Sequence, residues 1–321
     1  MARMKRKKRM TTEAKKRRKY WVSELAKLSG SFGDDSTKMI AELRDEIRKD
    51  GTEALLDHLR ICGAVPEHYG HDSSEEKLYS KYTDAIISEA LTAIGLKSTV
   101  INARADSADV QARGGDYSLV ADAKAFRLSR TAKNQKDFKV QAMDGWRNGL
   151  DYAVLICPIY QLPSRTSQIY QQAIARNVCI LSYAHMAALV AFAERRGQTA
   201  ATKGLASVLK SVSFLHPSKS AADYWFGINK ALVAVLKTDT DLWTTEKKAS
   251  LAALVLVKDE ALTYLRAERN RLLGLSHKEA IEELIRAAGL DSRIARVQQI
   301  EHGNLLNVGS DLQEVERGSE E

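Results

Sequence analysis

The chain has 321 residues, 44% of them hydrophobic and 28% charged, and a formal net charge of +8. These values are ordinary for a soluble globular protein with one large core, or a core with a satellite. No apolar run reaches the ~18 residues needed to span a bilayer. The basic N-terminus has no apolar stretch behind it, which excludes a secretory signal.

The charge is concentrated at the start. Residues 1–19 hold eleven Lys/Arg and one Glu, so the rest of the chain sits near −2. This segment reads as a basic, disordered arm. Such an arm either stays solvated or neutralises phosphates without reading sequence. Any nucleic-acid surface in the body must then come from local clustering. Residues 20–74 read as an N-terminal helical region, with apolar stripes at Trp21/Leu25/Leu28, Ile40/Leu43/Ile47 and Leu55/Leu56/Leu59. Breaks are expected at Gly30–Gly33 and Asp50-Gly51, and a loop over 63–74. Ser74 is the expected cap of a helix running to Ile94 and stopped by Gly95.

Four strands are expected next, near Ser98–Asn102, Tyr117–Lys124, Tyr152–Cys157 and Val178–Tyr183, rich in Val, Ile, Leu and Tyr. Helices are expected between and after them, near 132–148, 166–176 and 185–196. The pattern predicts an α/β core over residues 75–200, a mixed sheet with helices on its faces. Residues 201–308 read as a largely helical C-terminal region, with helices at Ala221–Leu236, Thr245–Leu273, Lys278–Ala288 and Ser292–Ile300. Residues 309–321 read as a flexible acidic tail.

The chemistry concentrates at Asp122-Ala123-Lys124. An acid-x-Lys triplet means little alone, and the chain has five: Glu13-Lys15, Glu75-Lys77, Asp122-Lys124, Asp137-Lys139 and Glu246-Lys248. Asp122-Lys124 alone closes an apolar strand, where residues two apart point to the same side. Phosphodiester hydrolysis needs a metal to neutralise phosphate charge and to acidify a bound water. Mg²⁺ takes oxygen ligands and keeps several waters. The expected ligands are Asp109, Asp122 and the Ala123 carbonyl, with Lys124 beside the attacking water. Asp106 and Asp116 compete for the role of Asp109, but Asp116 lies about 20 Å from Asp122 along an extended strand. Glu89, on the preceding helix, is read as an outer partner of the site, as a ligand of a second metal, or as an ordinary surface glutamate.

Cations then recur every third position: Lys124, Arg127, Arg130, Lys133, Lys136 and Lys139. Three-residue steps drift about 60° each on a helix, so this ladder is not one face of a straight helix. A strand end, a turn near 128–131 and a helix start fit it better. Arg127, Ser129, Arg130, Lys133, Asn134, Gln135, Lys136 and Lys139 are the expected DNA contacts. Amide side chains can read adenine edges, and arginines guanine or phosphate. The alternative is a solvated basic helix. Cys62, Cys157 and Cys179 lack any paired spacing and read as buried free thiols. His68 and His71 sit on a loop without a third nitrogen or sulfur ligand, which speaks against zinc.

At these residues the chain resembles a known family. The segment Leu119–Val140 is similar almost continuously to the HindIII family of type II restriction endonucleases, and Glu76–Lys81, Trp146-Arg147, Asp151–Leu155 and Ser167–Ile169 resemble it more sparsely. The resemblance implies a PD-(D/E)xK nuclease core, with Asp109 and Asp122 as metal acids, Lys124 as its lysine and Glu89 as a helix glutamate. It implies Mg²⁺-dependent cleavage of duplex DNA at the palindrome AAGCTT with 5′ overhangs. It further implies a cytoplasmic prokaryotic homodimer, and a companion methyltransferase that acts on the same site without a stable complex. The alternatives are a DNA-binding module that keeps the fold without the chemistry, and a nuclease of the same superfamily with a repair role or another specificity.

Overall fold

A computed structural model describes residues 10–101, 107–130 and 135–299 of the chain. Its centre is a five-stranded sheet in sequential order: β1 (Lys97–Val100), β2 (Val110–Gly114), β3 (Tyr117–Ala123), β4 (Tyr152–Cys157) and β5 (Val178–Ser182). β1, β2 and β3 pair antiparallel, and β3, β4 and β5 pair parallel. The sheet is therefore mixed. From Leu119 on, β3 is buried at every residue, as are all of β5 and all of β4 but Tyr152. This is the burial expected of parallel strands covered on both faces. Three of the four expected strands match β3, β4 and β5 closely. The first, β1, is Lys97–Val100, and Asn102 lies outside the described residues.

β2 is absent from the sequence reading. It buries Val110 and Ala112 and leaves Gln111 and Arg113 more open. Two apolar residues in alternation are too few to mark a strand by pattern. Its existence comes from its place in the ladder, where Gly115 at φ +61° turns the chain back into β3.

Three helices precede the sheet: α1 (Thr12–Glu24), α2 (Phe32–Ile61) and α3 (Ser74–Ile94). Helix α1 begins well inside the segment expected to be a disordered basic arm. Its cations explain the difference. Arg17 makes ion pairs with Glu46 at 2.6 Å, Asp57 at 2.7 Å and Asp50 at 3.0 Å. Arg18 is buried and bonds the Tyr79 hydroxyl at 2.6 Å and Glu260 at 3.2 Å. A run of like charge becomes ordered when carboxylates of the body meet it. The break expected at Asp50-Gly51 is a kink inside α2, with Gly51 at φ +74°. Helix α3 starts one residue earlier than expected. Ser73, not Ser74, is the cap, its Oγ accepting from the Glu76 N–H. Gly95 ends the helix in the left-handed region at φ +112°, as glycine does at helix ends. The helix packs across β1, β2 and β3.

The expected helix over 132–148 is two short pieces, α4 (Gln135–Phe138) and α5 (Val140–Trp146), separated by Lys139 at φ +47°. Then come α6 (Gln168–Ala175), α7 (Tyr183–Arg196), α8 (Gln198–Ser211) and α9 (Ala221–Leu236), the last matching its predicted bounds. Helix α10 (Thr240–Leu273) starts five residues before expectation. The chain divides into two compact units, up to Leu265 and from Arg266 onward. The second unit contains α11 (His277–Ala288) and α12 (Leu290–Gln298). There Ser276 and Glu279 form a reciprocal capping box, and Gly289 makes the turn between the helices.

One buried group in the first unit makes stability depend on pH. At the start of α7, His185 Nδ1 accepts from the Ser182 N–H at 3.3 Å, and Nε2 donates to Asn229 Oδ1 at 3.0 Å. Its ring stacks on Trp225 and sits against Trp243. Burial lowers its pKa to about 4. The neutral ring is therefore favoured in the fold. Its contribution is full above the unfolded value near 6.5 and is lost as pH falls from there toward about 4, up to about 3 kcal/mol. Urea denaturation at stepped pH should show a shallower decline between pH 6.5 and 4 for His185→Gln than for wild type. Parallel curves for the two proteins would refute this assignment.

Candidate active site

The register of the sheet builds the centre of the site. β2 and β3 pair antiparallel with Val110 opposite Ala121. Continued by one position, the same register sets Asp109 opposite Asp122. Directly opposed residues in such a ladder have Cβ atoms about 5 Å apart, so two carboxylates meet from different strands. The strand period puts Lys124 on the same side as Asp122. Its Nζ lies 2.5 Å from Asp122 Oδ2. Lys124 is fixed from behind: its N–H donates to the Ile156 carbonyl at 2.8 Å, and its carbonyl accepts from the Tyr183 hydroxyl at 2.9 Å. Ala123 lies between the two on β3, paired with Ile156 of β4.

A third carboxylate, absent from the sequence reading, completes the cluster. Asp84 of α3 is 2% exposed. Lys81 bridges it to Asp109: the Lys81 Nζ is 3.4 Å from Asp84 Oδ2 and 3.2 Å from Asp109 Oδ1. The expected helix acid, Glu89, is elsewhere. It pairs with Arg44 of α2 at 2.7 Å. Five residues along a helix turn about 140° away from the starting face, so Asp84 and Glu89 face different neighbours. A buried aspartate among Tyr82, Ile86 and Ile87 was the available signal, because an acid on an apolar helix face needs a reason to be there. Asp116 sits at the opposite end of β3, in the turn from β2, and Asp106 lies outside the described residues.

The electrostatics follow from burial. Burial raises Asp122, and the Asp109 charge adds to it, with Lys124 opposing. Burial raises Asp84 far above the usual carboxylate range, again with Asp109 adding to it. Burial alone would lower Lys124, but Asp122 and Asp109 outweigh it and hold the ammonium charged. Three carboxylates thus face two ammoniums. Two buried oxygens, Asp84 Oδ1 and Asp122 Oδ1, have no hydrogen-bond partner. Unpartnered buried carboxylate oxygens are costly unless a cation is to take them, so this donor set fits a hard, oxygen-seeking divalent ion. Among the described residues, the only three ligand atoms that gather within 4.8 Å are those of His71, Asp72 and Glu76. His71 and Asp72 there are exposed, as in many solvated acidic loops.

The segment after β3 is tied to the loop before α3. Phe126 exchanges backbone bonds with Gly63 and Val65. The expected DNA contacts Arg127, Ser129 and Arg130 all have partners within the chain. Arg127 donates to the Gly70 carbonyl at 2.6 Å and pairs with Glu76 at 3.2 Å. Ser129 bonds Glu67 through its N–H at 2.9 Å and its hydroxyl at 2.6 Å. Arg130 pairs with Asp137 at 2.5 Å and lies over the Phe126 ring. Lys139 lies over the Trp146 ring. Lys133 and Asn134 lie outside the described residues. Gln135 and Lys136 open α4, and their side chains are likewise outside the description. Over its described residues the ladder is a strand end, a turn and a short helix, and Arg127, Ser129 and Arg130 each meet a carboxylate.

The family described as HindIII restriction endonuclease matches residues 18–301. The type II restriction enzyme HindIII of Haemophilus influenzae is 32% identical over 263 residues, covering 80% of this chain and 87% of that relative. The class is therefore that of the type II restriction endonucleases, hydrolases whose substrate is DNA. Within that class, the chain belongs to the HindIII restriction endonuclease family.

Proposed function

We propose that the protein cuts duplex DNA at AAGCTT, with Mg²⁺ as cofactor, leaving 5′ overhangs, and that it does so as a homodimer. The observation that carries the chemistry is the pair of unpartnered buried oxygens, Asp84 Oδ1 and Asp122 Oδ1, beside Asp109. Asp84, Asp109, Asp122 and the Ala123 carbonyl are the residues that would hold Mg²⁺. When bound there, the ion supplies charge neutralisation at the scissile phosphate and a more acidic water.

The chain's own residues do the rest. Asp122 and Asp109 orient the site from two strands whose register is fixed by the ladder. Lys124, charged and held by Asp122, donates from Nζ to the attacking water or to the oxygen that gains charge. Buried Leu155 and Ile156 on β4 exclude bulk water behind it and strengthen each electrostatic contact. The turn and helix over 127–139 carry the DNA contacts, with Arg127, Ser129, Arg130 and Lys139 exchanging their present partners for phosphates or base edges. The near-continuous likeness over Leu119–Val140 supports the AAGCTT assignment, because direct readout depends on particular side chains in particular places. A palindrome cut once on each strand calls for a twofold dimer. A methyltransferase that modifies the same sequence is the expected companion.

Digestion of genomic DNA with the purified protein and Mg²⁺, followed by sequencing of the ends, tests all of this together. Ends at AAGCTT with 5′ extensions are expected. Ends at another palindrome would remove the specificity and keep the class. Ends without a common sequence would remove both.

A further inference from the structure

The carboxylate cluster holds one cation more than the cutting chemistry requires. Lys81 precedes Asp84 by three residues on α3, so a plain i, i+3 surface pair would explain one contact. It makes two. Its Nζ is 3.4 Å from Asp84 Oδ2 on the helix and 3.2 Å from Asp109 Oδ1 just before β2. One ammonium on α3 therefore holds a carboxylate 28 residues further along the chain. Lys124 takes Asp122 Oδ2 in the same manner. The oxygens left over are Asp84 Oδ1 and Asp122 Oδ1. With both ammoniums in place, Asp84, Asp109 and Asp122 do not bring three oxygens within 4.8 Å of one another. A divalent ion with oxygens at 2.0–2.6 Å requires closer convergence. An ammonium at hydrogen-bond distance from both Asp84 and Asp109 neutralises them at this wider spacing.

We propose that Lys81 is the resident counter-cation of the cluster: it holds Asp84 and Asp109 together in the metal-free protein, and a divalent ion binds by displacing it. The inference rests on the reading of this cluster as a divalent-metal site. Lys81 is then a positioning residue with two effects. It weakens metal binding by the free protein, because its contacts are lost and two like charges approach. Once displaced, its ammonium is free to meet a DNA phosphate, so metal and DNA each raise the affinity for the other.

The test is Mn²⁺ binding without DNA, followed by the electron paramagnetic resonance of free Mn²⁺, for wild type, Lys81→Met, Lys81→Gln, Lys81→Arg and Asp122→Asn. Circular dichroism checks that each variant is folded, and Met and Gln must agree. The expected result is at least ~5-fold tighter Mn²⁺ binding by Lys81→Met and Lys81→Gln, the lower end of ordinary coupling, with Lys81→Arg close to wild type. Asp122→Asn should lose the site. Repeated with an AAGCTT duplex in Ca²⁺, wild type should bind DNA more tightly as metal rises, and Lys81→Met should lose most of that coupling. Unchanged or weaker Mn²⁺ binding by both Lys81 variants, with Asp122→Asn still defective, overturns the role of Lys81 and leaves the metal site standing. Equal binding by wild type and Asp122→Asn overturns the metal site itself.

Discussion

Lys124→Ala is expected to bind its duplex close to wild-type affinity and to cut it at least ~10³-fold more slowly. A positioned proton-transfer or charge-stabilising group is worth about 10²–10⁴-fold in rate, and Lys124 is placed to do both. Its Nζ stands on Asp122 Oδ2, and its backbone is pinned on both sides by Ile156 and Tyr183. The side chain is 15% exposed, so water does not readily substitute for it. Removal has a structural cost as well, since it leaves Asp122 buried without its ammonium. Breaking one half of a buried pair costs about 3–5 kcal/mol when the remaining charge persists. Here burial already raises the Asp122 carboxyl, so proton uptake relieves part of that cost. Thermal melting with and without Mg²⁺ separates the two effects: a folded, DNA-binding, inactive protein is the expected product. Cleavage within tenfold of wild type would mean that Lys124 acts only in the fold.

The sequence made the inner part of this site legible because strand chemistry is local. Asp122 and Lys124 share a strand, and a period of two puts them on one side whatever surrounds them. The cation ladder could be resolved into strand, turn and helix by the same kind of argument, and Lys139 at φ +47° marks the break. What escaped was long-range. Strand β2, with Val110 and Ala112 as its only apolar residues, owes its place to pairing with β1 and β3, so nothing within Val110–Gly114 announces it. Asp109 could be nominated as a carboxylate upstream of the strand and by the family resemblance, but its position opposite Asp122 is a property of register. The order of residues 12–19 is hidden in the sequence for the same reason. A run of cations looks solvated until Glu46, Asp57 and Glu260, drawn from α2 and α10, are placed around Arg17 and Arg18.

Helix phase supplies the second large effect. Asp84→Asn is expected to lower cleavage by about 10²–10³-fold, within the 10²–10⁴-fold range for one well-placed group, whereas Glu89→Gln is expected to stay within a few-fold of wild type. Both acids lie on α3, and the sequence alone favoured Glu89. Of the two, only Asp84 is joined to Asp109 in the structure. Glu89 is answered by Arg44 of α2 across a partly exposed pair, an interaction typically worth under about 1 kcal/mol. Asp84 is buried, shares Lys81 with Asp109, and keeps Oδ1 without a partner. Burial raises its carboxyl far above the ordinary value, so the folded state tolerates a neutral group there better than a charged one. By linkage, that position costs stability at pH values where the free carboxylate would be ionised. Asparagine keeps the shape and removes the charge. Asp84→Asn should therefore melt at or above the wild-type temperature while losing activity, a trade expected where strain is kept for chemistry. Paired rates and melting curves on the two variants test this. An inactive Glu89→Gln with an active Asp84→Asn would move the helix acid back to the residue that the sequence suggested, and would mean that α3 rotates by more than a third of a turn when DNA and metal are bound.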